Sequence, residues 1–272
     1  MRGVTAGSII HMSEIKGTQG MELAGKVALV TGGARRIGAA VSRALASAGA
    51  DVAVHYHRSA AEAADLAAAL RRDFGVSAWT VGRDLSVPGA GGALFDDVLA
   101  ATGGRLDLVV NSASAYAREA VAAGEPPAPE ALARALRLHV EAPEALLRRL
   151  AARVSAEGTG CAAAVNILDA RIAGGEDPVH PAYLEAKRRL AARSRALALE
   201  LAPRLRLNCV APGAVLEPDG EGRDALLRLA AYNPMGAVGS PEGLADCVLF
   251  LLRQDFVAGQ VLYYDGGRHL RW

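Results

Sequence analysis

The chain has 272 residues, of which 51% are hydrophobic and 22% charged, and its formal net charge is +1. This composition is typical of a globular protein and excludes a disordered one. The small net charge argues against a nucleic-acid-binding surface, and no apolar segment reaches the roughly 18 residues of a membrane span. The length fits one α/β domain with a sizeable core.

The cysteines and the N-terminal residues indicate the cellular compartment of the protein and the start of its domain. Cys161, Cys209 and Cys247 stand in separate apolar contexts without metal-ligand spacing. We therefore expect free thiols in a reducing cytoplasm and no metal site. Residues 1–22 are rich in Gly, Ser and Thr and lack the apolar core of a signal peptide. They are predicted to form a flexible extension before a single domain of residues 23–272, in which no repeat or linker is found.

A glycine-rich turn organises the chain. An apolar run at residues 27–30 predicts a strand, and an alanine-rich helical pattern starts immediately after the turn. This strand–turn–helix pattern is typical of a dinucleotide-binding unit, in which the helix N-terminus faces a pyrophosphate. A glycine turn alone is a weak signal, because many are only tight loops. The candidate cofactor residues here are Gly32, Arg35, Arg36, Ile37 and Gly38.

The spacing Thr-Gly-x-x-x-Arg-Ile-Gly resembles the turn of the short-chain dehydrogenase/reductase family. Most of that family has a glycine where Arg36 stands, whereas the pteridine reductase branch carries paired basic residues, as Arg35 and Arg36 do here. The C-terminal Gly-Gly-Arg-His-Leu is similar to that of dihydromonapterin reductases within this branch. The resemblance extends from about residue 25 to the end of the chain. It implies a single doubly wound, Rossmann-type α/β domain with a seven-stranded parallel sheet.

The end of the second predicted strand, residues 51–55, indicates which nicotinamide cofactor is used. An acidic residue at this place binds the adenosine ribose hydroxyl, whereas an arginine accommodates a 2′-phosphate. Arg58 stands here between His57 and Ser59, with no competing carboxylate. A guanidinium suits a phosphate group because it is planar and always charged. We therefore predict NADPH as the cofactor; the alternative is that Arg58 is a solvated loop residue.

Two later strand ends carry site residues that only the resemblance identifies. After the strand at 76–81, it implies that Asp84 and Leu85 contact the adenine; an isolated Asp-Leu-Ser is otherwise a helix N-cap. After the strand at 106–110, it implies that Tyr116 stacks on a pterin ring, although a core aromatic with a surface hydroxyl is the alternative. Small or polar residues beside the nicotinamide ribose are Asn111, Ala113 and Ser114, the last of which also contacts the pterin.

The chemical centre is predicted on a helix at residues 181–201. Tyr183 and Lys187 are four residues apart and share one helix face. A phenol with a pKa near ~10 is a poor acid–base catalyst at neutral pH, and a nearby ammonium lowers that pKa. Tyr-x-x-x-Lys is common in helices, but after a fifth strand it matches the catalytic pair of the resembled family. Lys187 can also hold the nicotinamide ribose.

Asp169 follows directly after the strand at 162–168. The residue type at this position distinguishes two kinds of enzyme in the resembled family. Ketone-reducing members have a serine here, and pteridine reductases have an aspartate. An ionised Asp169 would raise the pKa of Tyr183 and oppose Lys187. Asp169 is therefore either protonated or positions a nitrogen-rich substrate, unless it only caps a strand in an inactive protein. His139 stands where most of the family has an asparagine that takes part in the proton relay. Whether a histidine serves that relay is left open by the sequence.

The resemblance implies that Pro212 and Gly213 close over the nicotinamide carboxamide and that residues 215–234 form a mobile lid. The predicted function is NADPH-dependent reduction of a dihydropterin, such as dihydromonapterin, dihydrobiopterin or dihydrofolate, by residues Arg36, Ser114, Tyr116, Asp169 and Tyr183. Alternatives are a reductase of a 3-oxoacyl or sugar-like carbonyl and a non-catalytic NADPH-binding regulator. The pterin side chain stays open. Helices at 130–155 and 181–201 suggest a homodimer or homotetramer, also by resemblance.

Overall fold

The computed structural model describes residues 20–116, 119, 126–157, 160–217 and 222–272, with the backbone alone at 155–157. Most of the predicted N-terminal extension, residues 1–19, therefore lies outside the described residues. The end of that extension is attached to the domain. The amide of Met21 donates to the carbonyl of Arg253 at 2.7 Å, and Leu23 is fully buried.

Strands and helices alternate along the described chain, as the sequence predicted. The strands are β1 (Val27–Thr31), β2 (Asp51–Tyr56), β3 (Ala78–Gly82), β4 (Leu108–Asn111), β5 (Ala162–Ile167), β6 (Leu205–Pro212) and β7 (Val261–Tyr264). The α-helices are α1 (Arg36–Ser47), α2 (Ala60–Phe74), α3 (Ala90–Ala101), α4 (Pro129–Leu136), α5 (Ala142–Glu157), α6 (Pro181–Leu201), α7 (Gly222–Ala230) and α8 (Pro241–Arg253).

The seven strands form one sheet in the order β3-β2-β1-β4-β5-β6-β7, and every neighbouring pair is parallel. This confirms the predicted Rossmann-type fold. In β1, Ala28 and Val30 face one apolar cluster, while Val27 and Leu29 face another, because successive side chains of a strand point to opposite faces. Helices α1, α2 and α8 cover the first face; α3, α5 and α6 cover the second. Burial on both faces explains why β1 is continuously apolar.

The direction in which successive strands are added reverses at the centre of the sheet. From β1 the chain adds β2 and β3 on one side, and then β4 to β7 on the other, so β1 and β4 are neighbours at the reversal. In open parallel sheets, ligands bind at such a point, outside the carboxyl ends of the strands. The segments after β1, β2, β3, β4, β5 and β6 therefore meet at one edge. These are the segments in which the sequence placed its candidate residues.

The helix predicted at residues 130–155 is continuous, but its geometry changes in the middle. Residues Arg137–Glu141 form a π-helical turn between α4 and α5. The amide of Ala142 donates to the carbonyl of Arg137, five residues back. Pro143 has no amide hydrogen to give to the helical ladder, and the wider turn accommodates it without a break. Turns of this kind are frequent at functional sites, and this one contains His139.

Three sequence expectations concern other features of the chain. No helix among the described residues is long and apolar enough to cross a membrane. Cys161, Cys209 and Cys247 are free thiols, and Cys209 is buried. In the described ranges, no cluster of His, Cys, Asp and Glu has the arrangement of a metal site.

Candidate active site

The glycine turn leaves no space for side chains at two positions. A Cβ at Gly38 would lie 2.1 Å from the carbonyl oxygen of Gly32, and a Cβ at Gly32 would lie 2.8 Å from the Cα of Ala113. Gly32 also has φ +62°, a region that favours glycine. The start of α1 is therefore packed tightly against the ends of β1 and β4. Its backbone N–H groups lie where a pyrophosphate can reach them.

Arg36 adopts a backbone conformation that glycine would adopt without strain. Its φ is +52°, and no other non-glycine residue among those described has a positive φ. This left-handed conformation costs about 1–2 kcal/mol, and such strain is typical of functional sites. The Arg36 guanidinium donates to the carbonyl of Glu217 at 2.7 Å. Arg36 thus joins the glycine turn to the segment after β6.

His55, which the sequence analysis did not select, supports the turn from β2. The amide of Gly32 donates to its Nδ1 at 3.0 Å, so that its Nε2 carries the hydrogen and donates to the carbonyl of Arg83 at 2.9 Å. Burial lowers the pKa of His55 to about 4. His55 is therefore neutral at physiological pH and acts as a structural acceptor. A histidine inside an apolar strand was the only sequence signal for it.

One cavity of about 300 Å³ lies beside the glycine turn and gathers most of the predicted cofactor residues. It also brings in two arginines that the sequence analysis missed, Arg83 and Arg134. Cationic side chains outnumber the single carboxylate of Asp84 on its wall, so the cavity suits a ligand with phosphate groups. The predicted residues that line it are Gly32, Arg35, His57, Arg58, Ser59, Asp84, Leu85, Ala113 and Ser114.

Asp84 also stabilises a local turn, but it is not the helix N-cap that was the alternative, since Gly89 is the N-cap of α3. Its Oδ1 accepts from the amide and the hydroxyl of Ser86 at 2.8 and 2.7 Å. The hydrogen bond from the Ser86 hydroxyl is the main reason that the pKa of Asp84 is lowered. Its other oxygen lies 3.6 Å from Nε2 of His57. Asp84 therefore stabilises its own loop while it lines the cavity.

Asn111 and Ile37 are among the predicted cofactor residues that do not line this cavity. Asn111 is only 4% exposed, and its amide donates to Asn166 at 2.8 Å. Its Oδ1 has no hydrogen-bond partner among the described residues. Ile37, in the first turn of α1, is partly buried and packs against the core.

A second cavity of about 280 Å³ lies next to the first along the segment after β4. Ser114 lines the first cavity and Tyr116 lines the second. The second also contains the predicted residues Asp169, Pro212 and Gly213. Residues that the sequence analysis did not place here come from three other segments: Arg171, Leu229, Arg268 and Trp272.

Arg171 holds the carboxylate of Asp169. Asp169 Oδ1 accepts from the backbone amide and from Nε of Arg171, both at 2.9 Å, and Oδ2 accepts from Nη2 at 2.7 Å. Burial raises the pKa of Asp169, but hydrogen bonds and charge from Arg171 outweigh it, and the pKa is lowered. Of the two protonation states left open above, the structure therefore has the ionised one.

Tyr183 donates its hydroxyl hydrogen to Asp169 Oδ2 at 3.0 Å. Burial raises its pKa well above the ordinary value, Asp169 adds to the rise, and Arg171 opposes it. The predicted lowering by Lys187 is therefore wrong for this arrangement. Nζ of Lys187 lies 5.6 Å from the centroid of the Tyr183 ring and donates to the carbonyl of Ile167 at 2.7 Å. Burial lowers the pKa of Lys187 to about 8.

Tyr116 forms the outer part of the same group. Its hydroxyl donates to Asp177 at 2.7 Å and accepts from Arg171 at 3.0 Å, while Arg171 also pairs with Asp177. The hydroxyl is therefore held by its neighbours, and stacking of Tyr116 on a pterin stays a prediction. Tyr116 is 45% exposed. It is stacked on His180 with centroids 3.5 Å apart and meets Tyr183 edge-on at 4.9 Å.

His139 lies beside α6, which carries Tyr183 and Lys187. Its ring meets that of Tyr183 edge-on with centroids 5.5 Å apart, and it is only 2% exposed. Burial, and secondly the charge of Lys187, lower its pKa well below the ordinary value. Neither ring nitrogen has a hydrogen-bond partner within the part of the chain that the structure describes. A neutral imidazole with unused nitrogens therefore lies beside the Tyr183–Lys187 pair.

Comparisons with known proteins agree with this geometry. A family model described as Enoyl-(Acyl carrier protein) reductase matches residues 32–269. Dihydromonapterin reductase of Escherichia coli O6:K15:H31 is 31% identical over 245 residues, covering 89% of this chain and 96% of that protein.

Two solved structures are similar over almost the whole chain. FolM alternative dihydrofolate reductase 1 from Brucella canis, complexed with NADP, superposes with a TM-score of 0.83 and 30% identity, covering 92% of this chain and 96% of that one. L-Sorbose reductase from Gluconobacter frateurii, complexed with NADPH and L-sorbose, has a TM-score of 0.80 and 28% identity, covering 92% and 99%. The similar proteins thus include both pterin-type and sugar reductases.

Proposed function

The chain belongs to the short-chain dehydrogenase/reductase family, and on this premise we propose that it uses NADPH to reduce a dihydropterin to the tetrahydropterin. Relatives at about 30% identity bind NADP or NADPH, which supports an NADPH-dependent oxidoreductase. The identity of the substrate is our inference from the second cavity. NADPH would supply a hydride to the carbon of a C=N bond.

The residues present fit this cofactor. The closely packed turn at Gly32 and Gly38 allows a pyrophosphate to approach the start of α1. The cationic first cavity suits its phosphates, with Arg58 at the 2′-phosphate between His57 and Ser59. Further roles that we assign are the adenine contact for Asp84 and Leu85, the pyrophosphate for Arg35 and Arg36, and the nicotinamide end for Asn111, Ser114, Lys187, Pro212 and Gly213.

Lys187 keeps donors available for this role. An ammonium has three hydrogens, and the contact with the Ile167 carbonyl uses one of them. The remaining two can donate to the hydroxyl groups of the nicotinamide ribose. The short contact therefore orients Lys187 without using up its binding capacity.

The ionised carboxylate of Asp169 beside the Tyr183 hydroxyl is the observation that carries the proposal. A pterin presents N–H donors from its amino group and ring, and a carboxylate accepts them. A ketone oxygen presents only lone pairs, which a carboxylate repels. A negative charge at this place therefore favours a nitrogen heterocycle over a ketone.

The hydrogen bonds of Asp169 indicate how a substrate would enter. A carboxylate has about four lone-pair sites, and Arg171 and Tyr183 occupy all four. When Tyr183 turns its hydrogen toward a substrate nitrogen, one site on Oδ2 becomes available for a substrate N–H. Since its raised pKa keeps Tyr183 protonated at neutral pH, the phenol is ready to donate a proton in the direction of reduction.

Tyr116 and Arg36 would complete the substrate site. The Tyr116 ring is partly exposed, and offset stacking on a pterin contributes about 0.5–1.5 kcal/mol beyond burial. Ser114, between the two cavities, would contact both cofactor and pterin. Arg36 reaches from the glycine turn to Glu217, at the start of the predicted lid, part of which (residues 218–221) lies outside the described residues.

A carbonyl reductase of sugar-like substrates is the second candidate. The likeness to L-sorbose reductase favours it, since Tyr183 could protonate a carbonyl oxygen as well as a ring nitrogen.

The homodimer or homotetramer and the cytoplasmic location stay predictions. Leu199 on α6 is 84% exposed, and a partner subunit that covers this helix face would bury it.

One assay distinguishes these candidates. Purified protein is incubated with NADPH and either dihydropterins or ketones, including L-sorbose, and the loss of nicotinamide absorbance is followed. We expect turnover of dihydropterins and at least ~10-fold loss of it in Asp169→Ser, because a hydroxyl carries no charge. Asp96→Ser, an exposed carboxylate paired with Arg149, is the control. Turnover of ketones alone would establish the second candidate, and tight NADPH binding without turnover would establish a regulator.

A further inference from the structure

The second cavity contains a cation that no protein acceptor neutralises. We propose that Arg268 forms a subsite for an anionic group on the substrate side chain, so that the preferred substrates are dihydropterins with a carboxylate or phosphate in that side chain. This inference rests on the proposed function and specifies its substrate class. No role was predicted for Arg268 from the sequence.

A rigid turn places Arg268 in the cavity. It begins the 3-10 turn Arg268–Arg271 after β7. The buried carboxylate of Asp265 accepts from the amides of Gly267 at 3.0 Å and His269 at 2.7 Å. The His269 ring is stacked on Tyr263 with centroids 4.1 Å apart. The direction of the Arg268 side chain is thus determined by packing on both sides of the turn.

The end of the chain brings this turn close to Asp169. A Cβ at Gly175 would lie 2.9 Å from the Trp272 ring, so Trp272 packs directly on the loop that follows Asp169 and Arg171. Arg268 lines the same cavity as those two residues. A substrate whose ring lies at Asp169 and Tyr116 can therefore extend its side chain toward Arg268.

The Arg268 guanidinium contacts two aromatic rings and, within the described residues, no hydrogen-bond acceptor. It lies 5.2 Å from the centroid of the Trp272 ring and 5.7 Å from that of Tyr232, distances typical of cation–π contacts. Within the described ranges, no hydrogen bond or ion pair joins it to another residue. The planar fork of a guanidinium matches a carboxylate or a phosphate. Its donors are available to a ligand.

Within the described residues, no other charged group of the cavity forms an ion pair with Arg268. Asp169 pairs with Arg171, which also pairs with Asp177. Glu176 lines the cavity but is exposed to solvent, where its charge is screened. Burial lowers the pKa of Arg268 and the nearby charge of Arg171 adds to this effect, whereas the charges of Asp169 and Asp265 oppose it. The donors of the Arg268 guanidinium therefore stay available to an anionic side chain.

Binding of three oxidised pterins tests the subsite without turnover. NADP-loaded protein is titrated calorimetrically with neutral neopterin, with neopterin phosphate and with folate, whose side chain carries carboxylates. We expect the anionic pterins to bind ~10-fold or more tightly than neopterin, as for a charge-assisted hydrogen bond. Arg268→Met should remove this preference and leave neopterin binding within about twofold, while Arg268→Lys should keep part of it.

Arg271→Met is the matched control, since Arg271 belongs to the same turn but is exposed, and its side chain donates to the carbonyl of Tyr232 at 3.3 Å. It should bind all three pterins as the parent does, and equal melting temperatures would show that each variant is folded. The larger of the phosphate and carboxylate effects identifies which anion the site prefers. An unchanged preference in Arg268→Met, or an equal loss for neopterin, would overturn the subsite.

Turnover of the corresponding dihydropterins separates the two proposals. Reduction of dihydropterins without an effect of Arg268 on selectivity would reject the subsite alone. An Arg268-dependent preference in binding without any reduction would reject the proposed function alone. Failure of all three pterins to bind would reject both.

Discussion

Arg171 and Asp169, separated by one residue, are joined by three hydrogen bonds that use both oxygens of the carboxylate. The third nitrogen of the same guanidinium donates to Tyr116 and pairs with Asp177. One cation therefore keeps Asp169 ionised and also positions the aromatic wall of the cavity. The proton of Tyr183 is held toward this carboxylate.

Removal of this cation should alter the pH dependence of catalysis. In Arg171→Met, burial remains and raises the pKa of Asp169 while the opposing charge is gone. We expect kcat/KM for a dihydropterin to fall about 10–100-fold and the acidic limb of its pH profile to move to higher pH. Arg189→Met, at an exposed ion pair with Glu185, should behave as the parent. An acidic limb at the same pH in Arg171→Met would contradict the assignment.

Lys187 should give an alkaline limb to NADPH binding. Because burial lowers its pKa to about 8, the ammonium loses its proton as the pH rises through that value, and one charged donor to the ribose is lost. The Kd for NADPH, followed by nicotinamide fluorescence, should therefore increase above about pH 8.

The variant Lys187→Met should bind NADPH weakly at neutral pH, and its Kd should show no step, that is, no increase above about pH 8. Lys26→Met, at the exposed pair with Asp107, should retain the step. If the step persisted in Lys187→Met, another group would have to be responsible for it.

Gly38→Ala should damage the fold and the cofactor site together. The new methyl group would lie 2.1 Å from the carbonyl oxygen of Gly32, and overpacking of this kind costs about 1–3 kcal/mol. Urea unfolding and NADPH titration would measure both effects. In Gly92→Ala, the control on α3, the methyl group meets only the Arg149 side chain at 3.5 Å, so that we expect unchanged binding and a gain of up to about 0.5–1 kcal/mol. Equal stability of the two variants would refute this explanation.

Arg58 should determine the choice between NADPH and NADH. Arg58→Ala should weaken NADPH binding roughly 10–100-fold, as for the loss of a charged hydrogen bond, with little effect on NADH. The ratio of the two Kd values is the measurement. Arg43→Ala, exposed on α1, should leave the ratio unchanged. A parallel loss for both cofactors would show that Arg58 does not contact the 2′-phosphate.

Local patterns were sufficient for the architecture. Apolar runs predicted strands whose boundaries differ from the observed ones by a few residues, and the resemblance to the family implied the seven-stranded sheet. The glycine turn, Arg58 and the pair Tyr183–Lys187 could be found because each depends on spacing within one segment. The π-helical turn Arg137–Glu141 was not predicted, because Pro143 indicates a disturbance of the helix but not its geometry.

Long-range contacts determined the chemistry of the site. No sequence motif identified Arg171, yet its hydrogen bonds and charge keep Asp169 ionised. His55 supports the turn from another strand, and Arg268 reaches the cavity only because the end of the chain packs on Gly175. These roles depend on which segments meet after folding.

The order of residues, through the resemblance of its motifs to a known family, was enough to predict a parallel Rossmann-type sheet and to propose a nicotinamide site at its edge, because each motif lies within one short segment. Folding decided that Tyr183 holds its proton and that Asp169 is charged. Burial and charge pairing shift a pKa only once distant segments have come together and excluded water.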